Sequence, residues 1–378
     1  MKRSKLIHHI IFILYLAINI LFIEKYTMRV TDFHHVIAIV YMFVICGIIW
    51  FVKEKFLLYT HYSKWLIGLG VVYLCIAISI QYSIDPLTIK VDRWSAIHNF
   101  LSGMLNGTYP YGQQTHLGGY GSPFPVWQIF HLPFYLLGNV GLSIIFVTII
   151  FVWTIHRCYS TKVALTSFIL LCISPAYWYE IAVRSDLITN VMLSAIIVEW
   201  FRHKDFQLGN HIVIVAITTG LLLSTRFIAV IPLCVFYGYA FLQMNWQKQL
   251  QFICIIVGTF GLTMLPFVFW KDSTLLFFEY NPFVLQTRQG SLAVLLFFAI
   301  IAIGIVIRMK NNHMFRLGIT GFLLTTLVVV AFVEEMLLYN LWGELFSSAF
   351  DITYLSVALP FYIQDLSINY STILLSNS

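Results

Sequence analysis

The sequence predicts an all-α fold: a polytopic transmembrane helical bundle of about 12 spans, with interfacial helices in a long first external loop. Three observations predict it. The chain is 60% hydrophobic and only 10% charged, where soluble domains carry about 25% charged residues. Its mean hydropathy is +0.86. Its apolar residues are gathered into blocks near the length of one bilayer crossing, and a single long polar interval, 82–139, interrupts them.

In chain order the apolar blocks fall at 6–23, 34–52, 64–81, 140–155, 163–179, 187–201, 209–225, 227–243, 250–269, 290–308, 316–333 and 349–364. The first begins MKRSKLIHHIIFILYLAINILF like a signal sequence, but no small-x-small cleavage site follows, so an uncleaved span is expected. Ser224-Thr225-Arg226 alone divides the 209–243 stretch. The segment 124–137, FPVWQIFHLPFYLL, is short and interrupted by proline, and it reads as a second interfacial or re-entrant helix. A single transmembrane domain, 1–378, is expected. Two extra N-terminal spans fill 1–63, and a core covers 64–364 with its external loop at 82–139.

With the N-terminus in the cytoplasm, the larger share of the 22 Lys and Arg residues falls inside and the acids gather outside. Both termini are then cytoplasmic, and every interval rich in polar residues faces out. The net charge of +6 is thereby an orientation signal, not a sign of nucleic-acid binding. The six cysteines lie almost wholly in apolar blocks without a CxxC pair, so neither disulfides nor a zinc site are signalled. The spacing of His98, His116 and His131 matches no metal site. No metal or cofactor is expected, with divalent-ion dependence left open.

The polar interval centres on VDRWSAIHNFLSGMLNGTYPYGQQTHLGGYGSPFP. Asp92, Ser95, Asn99, Ser102 and Asn106 share one helical face; Trp94, Ile97, Leu101, Met104 and Leu105 share the other. Asn106-Gly107 stops this helix, and a turn-rich loop with Gly112, Gly118, Gly119 and Gly121 follows. Such a helix between spans is expected to lie along the membrane surface with Asp92 at the water–lipid boundary. Other external landmarks are Arg184-Ser-Asp186, Thr225-Arg226, Asn281-Pro-Phe283, Arg288 and Asp351-Ile-Thr-Tyr354. Ionisable groups at membrane depth are costly and point to function. Each has a structural role open to it as well. Asp92 and Asp351 are good helix caps, Arg184–Asp186 could pair locally, Arg226 could anchor a span end, and Arg288 could be a plain loop charge.

This constellation resembles the GT-C superfamily of integral membrane glycosyltransferases. The resemblance is carried by Asp92 at the head of an amphipathic helix, Gly107-Thr-Tyr-Pro-Tyr111, Ser122-Pro-Phe-Pro125 and the later landmarks, over 64–364. It departs from the family in three respects. Asp92 stands beside Arg93 where paired acids are usual, two spans precede the usual first one, and no soluble C-terminal domain is expected. The resemblance implies transfer of a sugar, with inversion, from a polyprenyl-phosphate donor to a glycan or lipid acceptor. The enzyme would sit among membrane lipids of a bacterial-type cell membrane, with its active site on the external, periplasmic face. Such chemistry needs a base for the acceptor hydroxyl and cations for the departing phosphate. Asp92 is the expected base and Arg184, Arg226 and Arg288 the phosphate ligands. Asp186, Asp351, Tyr109 and Tyr111 are expected to bind substrate, the tyrosines by stacking on sugar rings. Tyr120, Trp94 and Trp178 offer further stacking surfaces. A polysaccharide polymerase or ligase would carry its largest external loop late in the chain. A transporter or flippase would carry charges at mid-span in repeated halves.

Overall fold

The computed structural model describes residues 2–54, 61–271, 280–287, 291–309, 313–339 and 350–372. These residues form α-helices and short 3₁₀ turns with no strand, as the sequence leads one to expect. The twelve expected spans are matched only in part among the described residues. Among the described residues, four helical stretches are long and apolar enough to cross a membrane: Leu6–Thr27, Tyr62–Ser83, Trp246–Val268 and Phe315–Leu338. The pair Thr161–Cys172 and Pro175–Ala182 makes a fifth if its 69° bend is one broken span. The other blocks form shorter helices, such as Ile212–Leu223 with 12 residues. At about 1.5 Å per residue that helix covers only part of a hydrocarbon core about 30 Å thick.

The bend has a local cause. Pro175 occupies the first helical position after Ser174, whose hydroxyl oxygen accepts from Tyr177 N–H. Asn19, fully buried in the first helix, accepts from the Ser174 hydroxyl at 2.6 Å and from the Ala176 N–H at 3.3 Å. The first helix therefore clasps the break.

The last expected block is displaced. A 3₁₀ turn, Ile352–Ala358, precedes the helix Leu359–Thr372, which lies at the centre of the bundle with Phe361, Tyr362 and Ile363 fully buried. It packs against Lys2–Thr27, Thr161–Cys172, Leu187–His203 and His313–Tyr339. Tyr62–Ser83 and Trp246–Val268 instead expose most of their apolar side chains, which suits a lipid-facing periphery.

The polar interval folds against the bundle. Helix Arg93–Leu105 buries Ile97, Phe100 and Leu101 with Phe124, Trp127, Met264 and Phe267. Its polar face is covered in part, at Ser95 and Asn99. Ser95 Oγ lies 2.7 Å from His116 Nδ1, and Asn99 Nδ2 donates to the Gln114 carbonyl at 2.7 Å. The segment 124–137 forms two short helices, Pro125–Phe130 and Leu132–Leu136. Two main-chain bonds, Phe124 N–H to Thr225 O and Val126 N–H to Ser224 O, join it to the 224–226 turn. Leu117 lies half-exposed at the tip of the loop. In a cysteine-free background, Leu117→Cys should react with an impermeant maleimide added outside intact cells; labelling solely after permeabilisation would reverse the orientation.

Candidate functional site

A cavity of about 580 Å³ opens where the polar interval meets the bundle. Its walls bring together residues far apart in sequence: Lys25 and Arg29, Lys90, Asp92 and Arg93, Tyr120 and Ser122, Arg226, and Asp351 with Tyr354. Among the described residues, five basic side chains face two carboxylates there, so this lining favours an anion.

Asp92 sits at the N-cap position of helix Arg93–Leu105 but makes no side-chain capping bond. Its Oδ2 instead accepts from the Thr115 hydroxyl at 2.9 Å. A Cβ at Gly119 would lie 3.0 Å from that same oxygen, so the loop can close over the carboxylate because residue 119 has no side chain. Of the two roles open to Asp92, capping is thus not the one its side chain takes.

Arg93, whose significance the sequence did not reveal, is the hub of the inner wall. It donates to Ser185 Oγ at 2.9 Å and to Asp351 Oδ2 at 2.5 Å, and its guanidinium lies 4.9 Å from the Tyr354 ring centroid. Buried Glu180 comes within 3.9 Å. Burial works against the Arg93 charge, but Asp351, Tyr354 and Glu180 outweigh it and hold the guanidinium above its ordinary pKa. Asp351 also caps the 3₁₀ turn, accepting from Thr353 N–H at 3.0 Å. Lys25 donates to the neighbouring Phe350 carbonyl.

Arg226 and Asp186 form a buried ion pair. Arg226 donates to Asp186 Oδ2 through Nε at 3.0 Å and Nη2 at 2.6 Å, and Trp127 Nε1 donates to the same oxygen at 2.6 Å. Burial alone would raise the Asp186 carboxyl. Arg226 first, then Arg93, overcome that and hold it below its ordinary value. The remaining nitrogen, Nη1, reaches Ser122 Oγ at 3.5 Å on the cavity wall.

The same three residues, Arg226, Ser122 and Tyr354, also line an apolar groove walled by Leu295, Leu327, Val328 and Phe332. Groove and cavity thus share one wall, with the Arg226 guanidinium in it.

Other expected site residues lie elsewhere. Arg184 donates to the Gln81 and Ile84 carbonyls at the end of helix Tyr62–Ser83. Its stem packs on Gly141, and its backbone is left-handed at φ 52°. It does not line the cavity, because those carbonyls occupy its guanidinium. Tyr111 is buried, donating to the Pro123 carbonyl at 3.1 Å and packed edge-on against Phe100. Its ring is core and has no face free for a sugar. Tyr109 packs beside Tyr280; Tyr120, not Tyr109, lines the cavity. Trp178 donates to the Cys172 carbonyl within the bundle. His131 is buried against the Trp127 carbonyl, and burial pushes it down to about 4. Arg288 lies outside the described residues. Compared with models of protein families, with curated proteins and with solved structures, the chain matches none.

Proposed function

We propose that this protein is a membrane glycosyltransferase that moves a sugar from a polyprenyl-phosphate donor to a glycan or lipid acceptor at the external face. One observation carries the reading: a cationic cavity of about 580 Å³ and an apolar groove meet at Arg226, Ser122 and Tyr354. A polyprenyl phosphate has the same two-part chemistry. Its chain would lie in the groove among Leu295, Leu327 and Phe332, and its phosphate would reach the cavity at the Arg226 wall. Planar guanidinium groups suit phosphate oxygens. Arg93 would add positive potential from the inner wall, and Tyr120 would offer a face to the sugar. Asp92 would take the proton of the acceptor hydroxyl as that oxygen attacks the anomeric carbon. The phosphate would leave with the electron pair of the broken C–O bond.

Asp351 suits orientation better than proton transfer, since Arg93 and the Thr353 N–H already engage its carboxylate. The test is transfer of isotopic label from polyprenyl-phosphate hexoses and pentoses to lipid or glycan acceptors by the purified protein in detergent. Appearance of label in the acceptor, abolished by Arg226→Ala, is the expected result. Movement of a solute across a sealed vesicle without bond exchange would replace this reading with transport.

A further inference from the structure

Outside the cavity, the turn between the first two helices carries a second cluster. Helix Lys2–Thr27 ends just before it and helix His34–Glu54 begins just after it. Glu24 Oε2 lies 2.6 Å from His34 Nδ1 and 2.9 Å from His35 Nδ1. Successive side chains of a helix diverge by about 100°, yet these two rings turn toward each other, with centroids 3.9 Å apart. All three donor atoms fall within 4.8 Å of one another. We propose that Glu24, His34 and His35 form a binding site for a divalent first-row transition ion, with zinc as the probe.

The chemistry of the set is two imidazole nitrogens and one carboxylate oxygen, which suits zinc and its neighbours and leaves further coordination positions for water. Tetrahedral bonds of about 2.0–2.1 Å place ligand atoms roughly 3.3 Å apart. The two Glu24–histidine pairs, at 2.6 and 2.9 Å, therefore need to open by less than about 1 Å, with the two imidazole nitrogens, within 4.8 Å of each other, settling to the same spacing. Binding through Nδ1 leaves each ring with its proton on Nε2; in the hydrogen-bonded state Nδ1 faces the carboxylate. His35 is 75% exposed, which gives an ion access from solvent. The basic residues next to it in sequence have contacts of their own: Lys25 donates to the Phe350 carbonyl, and Arg29 lies over the Tyr26 ring at 4.9 Å. Arg29 belongs to the turn that the ion would fasten, and it also lines the cavity. An ion at Glu24 would thus set the position of one of the cavity's cations. The site does not depend on the transferase reading.

The full-length protein, purified on a histidine-free tag and stripped with chelator, would be titrated with Co²⁺ and followed by visible absorption. One equivalent should give the d–d bands of a four- or five-coordinate ion, and Zn²⁺ should abolish them. His35→Ala alters an exposed ring and should leave the fold intact. It and Glu24→Gln should each weaken binding by at least about tenfold to hundredfold. If Co²⁺ binds equally well in both variants, or gives no bands in the parent protein, the cluster is a hydrogen-bonded clasp and no metal site.

Discussion

Replacing Asp92 by Asn should slow sugar transfer by about 10²–10⁴-fold, the usual cost of a lost general base, while leaving the melting temperature unchanged. The substitution preserves shape and keeps an oxygen for the Thr115 hydroxyl to bond. No capping bond is lost, because the Asp92 side chain makes none. Asp351 cannot readily replace it, since Arg93 and Thr353 hold its carboxylate. Initial rates measured beside a thermal unfolding curve decide the matter. A folded Asp92→Asn protein with near-normal turnover would reduce Asp92 to an anchor for the loop. The search for the base would then turn to Asp351, the other carboxylate among the described residues of the cavity, despite its bonds to Arg93 and Thr353.

Asp186→Ala should cost about 3–5 kcal/mol of stability, the range seen when one member of a buried ion pair is removed. It leaves Arg226 charged and largely buried, and it takes the acceptor from Trp127 Nε1. The paired change Asp186→Leu with Arg226→Met should recover most of that loss, because an apolar pair needs no compensation, but should not restore transfer. Unfolding midpoints of the single and paired variants in one detergent supply the comparison. If the single variant melts with the parent protein, the pair does not hold this wall together. The folded Asp186 carboxyl is held below its ordinary value. Its contribution is therefore complete above the unfolded value of about 3.9, and it fades as pH falls through the lower folded value.

Much of the architecture was legible from periodicity. The blocks at 64–81 and 250–269 became long helices, and the amphipathic stretch after Asp92 became helix Arg93–Leu105. Two features misled. Apolar composition signals burial, but it does not say whether lipid or protein surrounds a helix. The Leu359–Thr372 helix sits inside the bundle, and several other blocks are too short to cross a membrane alone. The site was legible in part. Asp92, Arg226, Asp186 and Asp351 stood out as charges next to apolar blocks, and the structure brings them to one cavity or its wall. Arg184 stood out for the same reason, yet it serves backbone carbonyls, a distinction that depends on where helix Tyr62–Ser83 ends. Arg93 was hidden because its partners lie far along the chain, 92 residues away at Ser185 and 258 at Asp351. Lys25 and Arg29 lie just past the first apolar block and carry no sequence signal of a site. The adjacent histidines at 34 and 35 gained meaning once the turn returned them to Glu24.

The join between 124–126 and 224–225 has a consequence for how such a protein can diverge. Both bonds run from amide to carbonyl, so no side chain specifies them. The bonds themselves ask only that Phe124 and Val126 are not exchanged for proline, which has no N–H; burial restricts Phe124, Ser224 and Thr225 on separate grounds. The two halves of the chain can accept substitutions separately while Ser122 and Arg226 stay in register across the seam. Kinship among proteins built this way would persist in spacing and chain path long after their letters had ceased to agree.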